Sequence, residues 1–169
     1  MNKTLRLTMI LITAGLLSAS CTEDDTRALM PGDKLPEFSV LMSDGRTMTT
    51  QDLSEGESLV VFFNTSCKDC REELPVLQNL YERYGRRVTF CLISREDSAA
   101  TIEAYWKKNN LTLPYSAQES RKIYSLFAQE TIPRCYLSKF GIIFHIWDDN
   151  PIMTIQDFEN KIEQYTPCK

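Results

Sequence analysis

The stretch Ser58-Leu59-Val60-Val61-Phe62-Phe63 is almost unbroken in its apolar character, and four positions beyond it stands Cys67, with Cys70 three further on. A short run of this kind is the pattern of a strand buried on both faces, which needs helices packed against a mainly parallel sheet. From Cys67 to Tyr84 the residues Leu74, Leu77, Leu80, Tyr81 and Tyr84 recur at helical spacing, with Pro75 as an expected kink and Gly85 as the stop. A buried strand therefore hands over almost directly to a helix whose first turn carries two thiols.

The alternation continues on either side. Residues 38–42 read as a strand, Ser43-Asp44-Gly45-Arg46 as a tight turn and residues 47–50 as the returning strand of an N-terminal hairpin. Residues 88–93 form the next strand. Asp97 or Ser98 then caps a helix carrying Ile102, Tyr105 and Trp106, and residues 111–115 read as a short strand. A further amphipathic helix is expected over 120–127. Residues 135–138 turn through Lys139-Phe140-Gly141 into a strand over 142–147, and a last helix covers about 155–165. The order β-α-β-α-β-α-β-β-α predicts an α/β domain with a mainly parallel sheet and a terminal antiparallel hairpin.

The N-terminus has a different character. Lys3 and Arg6 precede an apolar run over 7–17 and then small residues up to Cys21, the pattern of a secretory leader over residues 1–20. The run is shorter than the ~20 residues of a permanent membrane-crossing helix. Leu17-Ser18-Ala19-Ser20-Cys21 resembles a bacterial lipobox, with its leucine one place further from the cysteine than is usual. The resemblance implies a lipid on Cys21 and attachment to a membrane; an ordinary leader with an incidental cysteine is the alternative. Residues 22–27 are polar and acidic, so 21–30 read as a flexible tether and 31–169 as one domain. The expected location is the cell envelope, on the outer membrane facing the periplasm, with surface display as the second arrangement because the acidic run resembles the export signals of some lipoproteins.

Composition narrows the partners. The 169 residues carry a net charge of −4, and loss of Lys3 and Arg6 with the leader would take it to −6. No basic patch stands out, which argues against nucleic acid.

A Cys-x-x-Cys pair opening a helix has a chemical reason. The amides and dipole of the helix N-terminus favour a thiolate on the first cysteine, and the second, one turn along, is within reach to resolve a mixed disulfide. Cys67 is thus the candidate nucleophile and Cys70 the resolving thiol.

The segment Phe62-Phe63-Asn64-Thr65-Ser66-Cys67-Lys68-Asp69-Cys70-Arg71-Glu72-Glu73-Leu74-Pro75 resembles the active-site segment of TlpA/ResA-type thioredoxin-like proteins, and Thr131-Ile132-Pro133 resembles their cis-proline segment. The resemblance implies a thioredoxin fold with an N-terminal β-hairpin extension and an inserted β-α element, its central mixed sheet flanked by helices. It implies a thiol–disulfide oxidoreductase that needs no cofactor besides the Cys67–Cys70 couple. Its substrates would be disulfide-containing envelope proteins, reduced with electrons from a thiol protein; oxidase or isomerase action is the alternative direction. Ile132 and Pro133 would line the substrate groove, with Ser66, Lys68 and Asp69 on its rim. Glu73, three residues after Cys70, falls on the same helix face one turn inward, and ResA-like members carry a glutamate there. If buried, it would hold its proton to higher pH and could shuttle the proton of Cys70. A solvated Glu73, like its neighbour Glu72, is the alternative. Two departures leave the redox potential open: Ser66 replaces the usual aromatic residue, and Lys68-Asp69 replaces a proline-containing pair.

Cys91 and Cys135 fall on strands expected to flank the central one on opposite sides, ~9.5 Å apart, too far for a disulfide. Both read as small buried hydrophobes, with approach of Cys135 to the dithiol as an alternative; Cys168 lies near the C-terminus. A peroxiredoxin-type thiol peroxidase shares such a fold, but its cysteine needs Thr or Ser three residues before it and Pro seven before, where this chain has Asn64 and Val60. A zinc module would need a second ligand pair, and no other Cys-x-x-Cys exists; His145 is the single histidine. A non-catalytic binding role is the remaining rival.

Overall fold

The computed structural model describes residues 28–148 and 152–165. The leader, Cys21, the acidic run over 22–27 and Cys168 lie outside them. In chain order the elements are β1 (Ser39–Leu41), β2 (Thr47–Thr49), α1 (Thr50–Leu53), β3 (Glu57–Phe63), α2 (Lys68–Tyr84), β4 (Val88–Ser94), α3 (Ala99–Asn109), β5 (Tyr115–Ser116), a 3-10 turn (Tyr124–Leu126), β6 (Arg134–Lys139), β7 (Ile142–Trp147) and α4 (Ile155–Tyr165).

β3 is buried along its whole length because it lies at the centre of a five-stranded sheet ordered β5-β4-β3-β6-β7. It runs parallel to β4, with Val60 opposite Cys91, and antiparallel to β6, with Val61 opposite Cys135. Alternate residues face opposite ways. On one side, Phe63 meets Trp106 of α3 and Phe90 meets Tyr81 of α2 and Phe158 of α4. On the other, Phe62 meets Tyr124, Phe127 and Tyr136, and Phe127 in turn meets Phe38. Such ring pairs, most of them edge-on, add packing energy beyond the area they bury.

Both edges of the sheet are capped in part by other segments, which limits pairing with other chains. At the β5 edge the hairpin docks: the Ser43 amide donates to the Tyr115 carbonyl (2.6 Å) and the Ser116 hydroxyl to the Leu41 carbonyl (2.8 Å). At the β7 edge, the Gly32 amide donates to the Ile143 carbonyl and the Leu35 amide to that of Gly141, each at 2.8 Å. The packed chain reaches back past Pro31, since the Leu29 amide donates to the Phe127 carbonyl (2.9 Å) and Ala28 and Leu29 rest on the core.

Two expected elements differ. The helix expected over 120–127 is a single 3-10 turn at Tyr124–Leu126. Tyr124 and Phe127 are three residues apart, which a 3-10 turn eclipses, so one turn delivers both rings to Phe62 and the Tyr124 hydroxyl to the Thr131 carbonyl (2.7 Å). The strand expected over 111–115 shrinks to Tyr115–Ser116. Its upstream amides are taken by a side chain: Thr112 and Leu113 both donate to Oε1 of Gln78, at 2.8 and 3.1 Å, and Pro114 has no amide to offer. The single turn α1 adds an element the hydrophobic pattern does not announce; Thr49 and Asp52 close it as a reciprocal capping box.

Gln78 therefore carries the inserted segment on α2. Gln78→Ala leaves two backbone amides without their acceptor and is expected to cost about 2 to 3 kcal/mol. Urea denaturation measures the loss, and faster hydrogen exchange at Thr112 and Leu113 locates it.

Candidate active site

After Phe63 the backbone must turn before α2 begins at Lys68. That turn is built on Asp97, from the loop between β4 and α3. Its carboxylate accepts from the Asn64 side-chain amide (2.8 Å) and the Thr65 backbone amide (2.6 Å). Asn64 Oδ1 in turn accepts from the Ser66 amide (2.8 Å) and the Ser66 hydroxyl. Asp97 and Ser98 are equal candidates for capping α3 by sequence; Ser98 takes that role, accepting from the Thr101 amide, and Asp97 is left to brace the active-site loop. Asp97 and Asn64 are the supporting residues that the linear pattern does not reveal.

The brace sets Cys67 as the N-cap of α2, its sulfur accepting from the Cys70 amide at 3.3 Å. A negative charge on this sulfur is met by that amide and by the helix N-terminus. Cys67 is half-buried while Cys70 is 1% exposed, so an incoming disulfide meets Cys67 first. Burial, reinforced by the neighbouring Cys67 sulfur, pushes the Cys70 thiol far above its ordinary value. Cys70 must therefore be helped to lose its proton before it can act as a nucleophile.

Glu73 is 1% exposed, as buried as Cys70 one turn before it, so the solvated alternative does not hold. Burial pushes its carboxyl up to about 7, against two hydrogen bonds that pull the other way. The Met153 amide donates to Oε1 at 3.2 Å, and the Cys135 thiol donates to Oε2 at 3.5 Å. A carboxyl that titrates near neutrality, with its charge felt at Cys70, has the chemistry to take and return a proton.

The Ile132–Pro133 peptide is cis, and the Ile132 carbonyl accepts from the Cys67 thiol at 3.6 Å. Thr131 anchors the loop, its carbonyl on the Tyr124 hydroxyl and its own hydroxyl on Arg134 (3.0 Å). Ser66 and Lys68 stand exposed on the rim, Asp69 partly so, and Lys68 pairs with Glu72 at 3.6 Å. The fold thus gathers Cys67, Cys70, Glu73, Ile132 and Pro133 at one end of the central strand, and holds Ser66, Lys68 and Asp69 around them.

The other cysteines divide. Cys91 behaves as a small hydrophobe, fully buried, with burial pushing its thiol up to about 12. Cys135 is equally buried but has a polar neighbour, since its sulfur lies 3.5 Å from Oε2 of Glu73. His145 sits half-buried on β7 beside Trp147, within the influence of Lys161. Among the described residues no three His, Cys, Asp or Glu side chains are grouped to hold a metal ion.

A dithiol at the head of a helix, a cis-proline loop against its first sulfur and a central mixed sheet define a thiol–disulfide oxidoreductase of the thioredoxin type. The chain belongs to the AhpC/TSA family, whose profile matches residues 31–138. Among curated relatives, it is 22% identical over 136 residues to the thiol-disulfide oxidoreductase ResA of Bacillus cereus, covering 78% of this chain and 79% of that one. Among solved structures, it resembles the thioredoxin domain of a thiol-disulfide oxidoreductase from Bacteroides vulgatus, with a TM-score of 0.69 at 17% identity over 82% of this chain and 99% of the other. StoA from Bacillus subtilis superposes with a TM-score of 0.66 at 20% identity, over 79% of this chain and all of StoA.

Glu73 makes stability depend on pH. Its folded value near 7 lies above its ordinary value of 4.5, so the folded protein holds this proton longer than the unfolded chain. The contribution is intact below about pH 4.5 and is lost as pH rises through 7, by roughly 3 kcal/mol in all. Urea denaturation of wild type and Glu73→Gln across this range is expected to show the variant gaining on wild type by that amount as pH rises.

Proposed function

We propose that this chain is an extracytoplasmic disulfide reductase that acts on exported proteins. The carrying observation is the pairing of an accessible Cys67, capped by the Cys70 amide, with a Cys70 buried beside the buried acid Glu73. The Cys67 thiolate attacks one sulfur of a substrate disulfide, forming a mixed disulfide and releasing the other substrate sulfur as a thiolate, which takes up a proton. Glu73 then accepts the Cys70 proton, and the Cys70 thiolate attacks Cys67. The Cys67–Cys70 disulfide forms, and the second substrate sulfur leaves as a thiolate and is protonated. The substrate gains two electrons, which a dithiol protein must later return to the Cys67–Cys70 disulfide; no further cofactor is needed.

The substrate backbone is read as an extended strand against Ile132, ahead of the cis-proline, with Ser66, Lys68 and Asp69 meeting its flanks. Client proteins carry a solvent-accessible disulfide and lie outside the cytoplasm, in keeping with the leader over 1–20. Cys21 is the anchor in this reading, holding the domain by lipid to the outer membrane with its active site towards the periplasm; display at the cell surface is the other arrangement. No helix among the described residues is long and apolar enough to cross a membrane.

The reduction potential of the Cys67–Cys70 couple tests the direction of flow. Equilibration with dithiothreitol buffers is expected to give a value near the ~−270 mV of thioredoxin; one near the ~−120 mV of DsbA would make the protein an oxidase. Cys70→Ser is expected to accumulate a mixed disulfide through Cys67 when offered a disulfide protein, and Cys67→Ser to form none, as read by non-reducing electrophoresis. A Cys67→Ser protein that still fulfils its role in the cell would leave only a binding role.

A further inference from the structure

We propose that Cys135 is a positioning residue for the disulfide exchange, its thiol holding from β6 the buried carboxyl that serves Cys70. The inference rests on the reading of Glu73 as proton carrier and gives the third cysteine of the site a task within it. Cys135 has no exposed surface, and its sulfur lies 3.5 Å from Glu73 Oε2. Its place is set by the sheet, since it faces Val61 across the β3–β6 pairing and follows the cis-proline by two residues.

Two donors from two different elements grip the carboxyl. The Met153 amide, just before α4, takes Oε1, and the Cys135 thiol takes Oε2. The first is backbone and the same for any residue at 153; the second depends on the side chain at 135. Among the described residues the titratable groups facing Glu73 are Cys70 on its own helix and Cys135 on β6, with Cys67 beyond Cys70. Among the described residues the approach to α4 contributes the Met153 amide, the Asp157 carboxylate being engaged by Thr154, and β3 contributes Val61, which is apolar.

A thiol suits this position. Burial and the nearby Glu73 charge both push Cys135 well above its ordinary value, so it stays protonated and donates without competing for the proton that Glu73 exchanges with Cys70. A sulfur is also a weak donor, and a weak grip on a buried carboxylate leaves that carboxylate titrating near neutrality. A hydroxyl in the same place would hold the charged form harder and leave Glu73 a poorer acceptor of the Cys70 proton.

The test is a titration of Glu73 in the reduced protein, by 13C NMR of its labelled carboxyl, beside the pH profile for reduction of a small disulfide. Wild type, Cys135→Ala, Cys135→Ser and Glu73→Gln are compared. Cys135→Ala is expected to raise the Glu73 midpoint by about 0.5 to 1 in pH and to carry the Glu73-dependent limb of the rate profile with it. Cys135→Ser, close in size, is expected to return both to the wild-type value or below. A midpoint unmoved in Cys135→Ala and Cys135→Ser, while Glu73→Gln abolishes the limb, overturns the role of Cys135 alone. A midpoint that moves while the rate profile stays, or a limb that survives in Glu73→Gln, overturns the role of Glu73 and that of Cys135 with it.

Discussion

The active site depends on how the chain leaves β3. A strand buried on both faces delivers its last residue, Phe63, deep in the protein, and within four residues the backbone must reach the first turn of α2 with Cys67 still accessible. The Asn64 side-chain amide and the Thr65 and Ser66 backbone amides have to be satisfied in that turn, and Asp97 and Asn64 Oδ1 satisfy them. Because Asp97 follows β4, the neighbouring parallel strand, the register that pairs Phe63 with Ser94 also puts the brace in reach. The position of the nucleophile is thus a consequence of sheet pairing, and the local sequence between Phe63 and Cys67 is only half of its cause.

Behind the nucleophile, the protein buries a thiol and a carboxyl side by side. An ionised carboxylate there has lost its water and, among the described residues, regains an amide and a thiol, so its charge is disfavoured but still attainable at neutral pH. A better-solvated acid would be permanently charged and unable to accept the Cys70 proton. A wholly apolar pocket would hold it neutral throughout. The intermediate case requires a large core to carry the cost, and the aromatic groups around β3 and β4, from Tyr81 and Phe90 to Phe158 and Trp147, supply it on the face that bears α2 and α4.

The parts of this arrangement that were legible in the sequence are those with a local cause. The apolar run of β3, the helical spacing after Cys67 and the final helix Ile155–Tyr165 each stand in the pattern of neighbouring residues. The capping box of α1 was equally local, in Thr49 and Asp52, but a four-residue helix has no hydrophobic period to draw attention to it. Where the cause is distant the pattern misleads. Tyr124 and Phe127 have the spacing of a helix face, yet it is Phe62, far away in the chain, that gathers them into a single 3-10 turn. Gln78 takes amides that the sequence assigns to a strand, and Asp97 is visible only as a cap. Glu72 and Glu73 are adjacent and chemically alike; only the count of three from Cys70 separates the exposed one from the buried one.

The same distinction explains why Cys135 could not be placed from its own surroundings. In β6 the residues Arg134, Cys135 and Tyr136 alternate across the sheet, so the side that each faces follows from its register against β3. A slip of one residue would bring Tyr136 to face α2 and turn Cys135 towards Phe62 and Phe127. The pairing of Val61 with Cys135 prevents this, and the hydroxyl of Tyr136, bonded to the Phe127 carbonyl at 3.1 Å, holds the alternate face in place. The strand that contacts Glu73 is also the one that begins at the cis-proline loop, where the Ile132 carbonyl meets the Cys67 thiol. Pro133 and Cys135 are therefore two residues apart on one continuous stretch, and the backbone that meets the Cys67 thiol also carries the thiol that touches the Glu73 carboxyl behind it.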